Sequence, residues 1–308
     1  MRVVTTKFIT MIKASKIKFQ EGRSDNKFLQ EWKILEKEKS IPRNYNKLIV
    51  IEHKEFVKKI LENNHSFAKS VVNSIYNGDL YILKNTFSKQ ESAHIIDEIH
   101  KFTLSIPSSF HKMHEGVPNF HRWIESTNYS YALKHAKHAT YLFPWNKDIS
   151  NIYNLVEERC SPLKFLAGLN LDSYKKSKPL DGIIERLQIT RYPPTGFVEP
   201  HIDAEPLMRL VISGYLTRRG KHYNKGGFYM IDENNKKLDL EDNIEDGDVG
   251  FFYATLRHGV DQIDPSGGYD SKKKEGRWWI GYNIHHSDYI DSKSRATGQP
   301  YNINSINI

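Results

Sequence analysis

From residue 184 to residue 286 the chain breaks into short segments rich in β-branched and aromatic residues, separated by clusters of Gly, Pro and Asp. That punctuation leaves no room for long helices and calls for many short strands. Residues 184–192 (IERLQITRY) read as a strand, followed by the turn Pro193-Pro194-Thr195-Gly196 and the run Pro200-His201-Ile202-Asp203. Further strands are expected at 209–215 (RLVISGY), 226–231 (GGFYMI), 237–240, 249–253 (VGFFY), 257–260 (RHGV) and 277–283 (RWWIGYN). Such a series suits an antiparallel sandwich or jelly roll.

Chemistry-bearing residues fall at defined places in this series. Residues i and i+2 of an extended segment point the same way, so His201 and Asp203 can grip one metal from one strand end. A second imidazole, His258, would arrive from a strand remote in sequence. Two imidazoles and one carboxylate can occupy one face of an octahedral Fe(II), leaving the other face for a chelating cosubstrate and dioxygen. An isolated histidine in a strand is more often a half-buried imidazole bonded to a backbone carbonyl. Arg277 taken alone could be a structural ion-pair partner. It is the ordered string of His201, Asp203, His258 and Arg277 that favours metal and cosubstrate binding.

These residues resemble the 2-oxoglutarate/Fe(II)-dependent dioxygenase superfamily, within its prolyl-hydroxylase-like branch. The pieces that carry the resemblance are Tyr-Pro-x-x-Gly before His-x-Asp, Gly-Gly-Phe, His-Gly-Val and Gly-Arg-aromatic, over roughly residues 184–286. Upstream, residues 80–85 with Ser88-Lys89-Gln90-Glu91 are similar to that branch's entry strand and first helix. The resemblance implies an α+β chain with a double-stranded β-helix (jelly-roll, cupin-like) core and N-terminal supporting helices. It divides the chain into a helical extension, residues 1–79, and a dioxygenase domain, residues 80–308. It implies iron at His201, Asp203 and His258, and Arg277 against the distal carboxylate of 2-oxoglutarate. Tyr215 and Tyr192 would hydrogen-bond to the same cosubstrate, and Fe(II), 2-oxoglutarate and O2 would be the cofactors. Residues 264–276 form a longer insertion between His258 and Arg277 than the family's pattern has, which leaves Arg257 and Arg209 as alternatives for the anchoring arginine.

The implied reaction is hydroxylation of a C–H bond with release of succinate and CO2. A small residue at position 203 would leave room for chloride, as in related halogenases; Asp203 fills that place. A small polar metabolite, of amino-acid or natural-product type, is the expected substrate, with a peptidyl (prolyl-type) hydroxylase as the alternative. The reading from a different class is a non-catalytic cupin-like binding barrel, which has no need of both the triad and the arginine. Arg209, His121, Arg122 and Trp123 are the candidate substrate contacts, the last three from a segment, 105–145, rich in His and aromatic residues. The histidines there match no standard zinc spacing.

A net charge of +8 and a pI near 9.2 raise the question of nucleic acid. The excess is lysine scattered along the chain, with one run at Lys272-Lys273-Lys274, and describes a solvated surface. Family members that demethylate nucleic acids carry a second arginine six residues past the anchoring one, where this chain has Asn283. A nucleic-acid partner is therefore not expected; a small-molecule or peptide substrate is, and oligomeric state is left open. No apolar run is long enough to span a bilayer, and residues 1–19 lack a signal-peptide core. The lone Cys160 cannot form an internal disulfide, which fits a cytoplasmic setting and a small core residue. Apolar residues at helical intervals predict helices over 27–39 and 55–76, and Ser88 with Glu91 predicts a capping box for a helix running to about Phe102.

Overall fold

A computed structural model describes residues 11–13, 17, 19–125, 135–204, 207–270 and 272–299. In chain order the elements are α1 (Lys27–Glu38), β1 (Leu48–Glu52), α2 (His53–Leu61), α3 (His65–Tyr76), β2 (Leu80–Lys84), α4 (Lys89–Ser105), β3 (Phe120–Ile124), β4 (His135–Leu142) and α5 (Ile152–Leu166). Then follow β5 (Ile183–Tyr192), β6 (Phe197–Ile202), β7 (Leu210–Tyr215), β8 (Gly227–Ile231), β9 (Lys237–Asp239), β10 (Val249–Tyr253), β11 (His258–Asp261), β12 (Arg277–His286) and the short β13 (Thr297–Gly298).

Strands β5 to β12 pass back and forth between two sheets as the chain advances, with β8 and β9 forming a hairpin within one of them. One sheet runs β10-β7-β12-β5, the other β6-β11-β8-β9, and every pairing within them is antiparallel. This alternation is the double-stranded β-helix expected from the sequence. The first, larger sheet is extended by β2 and β1 at one edge and by β4 and β3 at the other. The backbone of β4 also pairs with β6, which links the two sheets. Strand β5 is held most completely: all ten of its residues pair with β12, from Arg277 opposite Tyr192 to His286 opposite Ile183. Between the sheets, Phe228 of β8 meets Phe252 of β10 and Tyr215 of β7 at ring separations of 6.0 and 6.2 Å.

Helices cover the outer face of the larger sheet. Phe28, Trp32 and Leu35 of α1 and Val71, Val72 and Ile75 of α3 are buried in one core with Phe251 and Tyr253 of β10. The Trp32 indole N–H donates to the Leu166 carbonyl at 2.7 Å, fastening α1 to the end of α5. Cys160 of α5 is buried, and burial pushes its thiol up to about 12. The capping box is present: Glu91 N donates to Ser88 Oγ at 3.1 Å and Ser88 N to Glu91 Oε2 at 2.6 Å.

Two expectations for the N-terminal part are revised. The helix expected over 55–76 is two helices, because Asn63 takes a left-handed φ of 50° and Asn64 caps α3 by accepting from Phe67 N at 3.1 Å. Asparagine tolerates that conformation and competes for backbone bonds, so paired asparagines interrupt a helix that apolar spacing alone would continue. Residues 1–79 are also not all helical within what is described: Leu48-Ile49-Val50-Ile51-Glu52 forms β1, parallel to β2. Among the described residues, no helix is long and apolar enough to cross a membrane.

Gly227, at the start of β8, shows how tightly the sheets close. Its φ is +132°, and a Cβ there would sit 2.4 Å from Glu241 Cγ. Gly227→Ala is therefore expected to destabilise the protein by about 2–3 kcal/mol, through backbone strain and overpacking together. The change should appear as a lower urea midpoint with an unchanged slope.

Candidate metal centre and the buried arginine

The end of β6 and the start of β11 bring the three sequence-selected ligands together. His258 lies opposite His201 in the β6–β11 register, and the two rings sit 4.2 Å apart. Asp203 follows one residue after β6 and is held by its backbone N–H, which donates to the Ala254 carbonyl at 2.9 Å. Its Oδ2 lies 3.6 Å from His258 Nε2. One ligand atom from each of His201, Asp203 and His258 lies within 4.8 Å of the others, an arrangement able to hold a metal ion.

Orientation of the rings supports that use. His201 Nδ1 is 2.9 Å from the Glu199 carbonyl, and His258 Nδ1 is 2.9 Å from the Leu256 carbonyl. A carbonyl only accepts, so each Nδ1 carries the proton and each Nε2 is left as a lone-pair donor, the tautomer a metal-bound histidine needs. Burial and the neighbouring His258 hold the His201 pKa well below its usual value, so this imidazole stays neutral and available. Burial raises the Asp203 pKa, against the opposing influence of His258 and Lys137. A dication bound here would stabilise the carboxylate and reverse that shift.

Arg277 opens β12 on the same inner face, 1% exposed. Its Nε donates to Glu241 Oε1 at 2.9 Å, and its guanidinium lies 5.4 Å from the Tyr215 ring and 5.8 Å from the Tyr192 ring. Glu241 begins a short 3-10 turn after β9, is itself 1% exposed, and also accepts from the Tyr223 hydroxyl and the Phe228 backbone N–H. Burial works against the Arg277 charge, and Glu241 more than offsets it, so the Arg277 pKa is raised. Two donors beside this pair are left over: Arg277 Nη2 and the Tyr215 hydroxyl are buried with no hydrogen-bond partner. Buried donors of this kind are rare and costly unless something accepts from them. A carboxylate is the acceptor that suits a guanidinium edge beside a phenol. Burial raises the pKa of Tyr215 and of Tyr192, so both remain protonated.

Glu241 is the functional-site residue that sequence reasoning missed. The one local signal for it was the glycine pair Gly226-Gly227, since the missing side chain at 227 is what admits the Glu241 carboxylate. Nothing in the spacing of Glu241 points to Arg277, 36 residues away in the chain.

The remaining candidates separate by the pleat of the sheet. His121 and Trp123 of β3 face outward, away from the triad. His121 Nε2 is bonded to the Ile106 carbonyl at 2.9 Å, and Trp123 stacks on His138 at 3.8 Å with the Arg191 guanidinium 5.3 Å from its ring. Only Arg122 between them lies on the inner face. Arg209 is held by Glu36 through Nε at 2.6 Å and Nη2 at 3.1 Å, and its Nη1 donates to the Ala167 carbonyl at 2.9 Å. It lines a separate cavity of about 440 Å³ between the larger sheet and the helices, and serves as an ion-pair strut there. Arg257, the other alternative for the anchoring arginine, is engaged with Asn235, Asn44 and the Asp232 carbonyl. From the insertion, the Asp270 carbonyl accepts from the outward-facing Arg191 at 2.7 Å and Lys274 pairs with Asp97 of α4 at 2.6 Å.

No family model and no curated protein matches this chain. Similar solved structures include a prolyl-4-hydroxylase from Pseudomonas putida, 11% identical, covering 70% of this chain and 97% of that one, with a TM-score of 0.44. Another is a prolyl hydroxylase from Trichoplax adhaerens in complex with a hypoxia inducible factor peptide fragment, 14% identical over 74% of this chain and 92% of that one, TM-score 0.42. A third is a Neurospora crassa protein in complex with alpha-KG and thymine, 13% identical over 77% of this chain and 84% of that one, TM-score 0.45. The fold stands on the strand order of this chain itself and not on these likenesses.

Proposed function

We propose that this protein is a non-haem Fe(II)- and 2-oxoglutarate-dependent oxygenase that hydroxylates a C–H bond of a small polar molecule. The single observation that carries the reading is the juxtaposition, inside one jelly roll, of a His201–Asp203–His258 ligand set with two partnerless buried donors, Arg277 Nη2 and the Tyr215 hydroxyl. A binding barrel without redox chemistry would need neither in combination with the other. Bound Fe(II), with 2-oxoglutarate and O2, would supply the oxidising power, converting 2-oxoglutarate to succinate and CO2 as one oxygen atom enters the substrate C–H bond.

The chain's own residues do the positioning. The Glu199 and Leu256 carbonyls fix both imidazoles with Nε2 inward. Glu241 holds Arg277 by Nε, leaving guanidinium nitrogen free to meet the distal carboxylate of 2-oxoglutarate, with the Tyr215 hydroxyl as a further donor. Tyr192, whose ring lies 5.8 Å from the Arg277 guanidinium, would offer its hydroxyl to the same cosubstrate. With its aspartate in place the ligand set offers three protein donors, which favours hydroxylation over halogenation.

Anaerobic titration with Fe(II) and then 2-oxoglutarate is expected to produce a saturable metal-to-ligand charge-transfer band. Arg277→Ala is expected to weaken 2-oxoglutarate binding about ten- to a hundredfold, the loss of a hydrogen bond to a charged group. A well-folded, iron-loaded protein that gives no band would refute the reading.

A further inference from the structure

The inner face of the larger sheet carries a second set of cations, on β3, β4 and β5. Ile124 of β3 stands opposite Lys137 of β4, and Arg122 opposite Ala139. In the next pairing His138 stands opposite Arg191, so Lys137, one residue along, is level with Tyr192, and Tyr192 is opposite Arg277. The pleat thus places Lys137, Tyr192 and Arg277 in one cross-strand row on the face that looks toward the metal ligands, with Arg122 in the adjoining row. Arg186 occupies the same face of β5, three alternations before Tyr192.

Among the described residues, neither Lys137 nor Arg186 on this face is paired with a carboxylate. Arg277 has Glu241, and Asp203 belongs to the ligand set. Among the described residues Lys137 makes no ion pair, although it feels the Asp203 carboxylate and is in turn felt by His201. The polar partners of Arg186 are neutral: Gln188 at 3.0 Å, the His285 ring at 2.8 Å and the Met113 sulfur. Asp288, whose charge reaches Arg186, is itself paired with Lys293. Lys137 is half-buried, and withdrawal from solvent lowers its ammonium to about 8, with Arg186 and Arg122 pushing the same way and Asp203 opposing. A half-buried ammonium within electrostatic reach of two guanidinium groups is poorly placed for stability and well placed for an anion.

Building on the oxygenase reading above, we propose that the primary substrate is a small carboxylate, its anion held by Lys137 on the inner face of β4 next to the His201–Asp203–His258 centre. The ammonium donates to the substrate carboxylate, and the carbon chain extends from there toward the ligand set. Arg122 and Arg186 reach Lys137 electrostatically and add to the positive potential there. The backbone of an internal peptide segment offers Lys137 only neutral amides, so among peptides only one that places an Asp or Glu side chain here could supply the same anion.

The test uses the full chain loaded with Mn(II) and saturating 2-oxoglutarate. Acetate, propionate and benzoate, each beside its own carboxamide, are titrated in, and the Mn(II)-induced relaxation of their protons is measured by NMR. Carboxylates are expected to be relaxed in a saturable manner and carboxamides not, with Lys137→Met weakening the apparent carboxylate affinity about tenfold or more and Lys137→Arg preserving it. Unchanged 2-oxoglutarate affinity in both variants controls for folding. Equal relaxation of acids and amides, no relaxation of either, or an effect untouched by Lys137→Met would overturn the assignment. So would a carboxylate effect that appears only when 2-oxoglutarate is left out, since the probe would then be sitting at Arg277. Failure of Mn(II) to bind at all, read from the relaxation of water protons, would instead mark failure of the underlying oxygenase reading.

Discussion

His201→Ala is expected to lower 2-oxoglutarate turnover by more than about a hundredfold, and to do so through the metal. Removing a mere outer-shell partner of a metal ligand typically costs 10–100-fold in affinity or activity, so losing the ligand itself should exceed that range. The expectation follows from geometry: the three ligand atoms lie within 4.8 Å of one another, and no other described His, Cys, Asp or Glu joins the group. Two remaining protein ligands no longer define the face of an octahedron, so the ion is held more weakly. The decisive readouts are iron retained after dialysis and the charge-transfer band, with thermal unfolding as the control. The imidazole is held to the protein by one bond to the Glu199 carbonyl. Its loss should therefore leave the fold in place. Full turnover in His201→Ala would mean that the triad is not the reacting centre.

Glu241→Ala is expected to give the largest stability effect, about 3–5 kcal/mol. It would strip the counter-charge from Arg277, which is 1% exposed and has no other carboxylate within ion-pair distance among the described residues. It would also remove the acceptor of the Tyr223 hydroxyl and of the Phe228 backbone N–H. Both groups would then be buried without a partner, each at a cost of about 1–3 kcal/mol if nothing replaces the bond. The loss should be read as a fall in the urea midpoint. The double variant Glu241→Ala with Arg277→Met should recover part of it, because removing both members of a buried pair costs less than stranding one. If Glu241→Ala cost under about 1 kcal/mol, the pair would not be the support of Arg277 that the structure portrays. The same variant should weaken 2-oxoglutarate binding, since Glu241 holds the Arg277 guanidinium by its Nε edge.

Much of this architecture was legible along the chain because its signals are local. Gly, Pro and Asp mark the ends of strands, and the segments read from them coincide with β5, β7, β8, β9, β10 and β12 to within a residue or two at the N-terminal ends. The His-x-Asp spacing needs only the two-residue repeat of an extended chain. His258 was legible as its partner through the order of the whole string. Other features depended on which strands became neighbours. His121, Arg122 and Trp123 looked equivalent as consecutive residues, and pairing with β4 sent the outer two away from the site and kept Arg122 inside. Arg209 looked like a substrate contact until α1 supplied Glu36 to it. Lys137 drew no attention in a lysine-rich sequence, and its meaning comes from standing level with Tyr192 and Arg277.

By itself, then, the sequence determined the strand series, the ligand types and the order in which they arrive, because turn chemistry and side-chain alternation act over a few residues. The tertiary structure alone decided that Glu241 neutralises Arg277, that Tyr215 and Arg277 keep donors in reserve, and that Lys137 faces the metal ligands. Those outcomes depend on a chain that passes back and forth between two sheets. It thereby brings together residues tens of positions apart whose spacing carries no periodic signal.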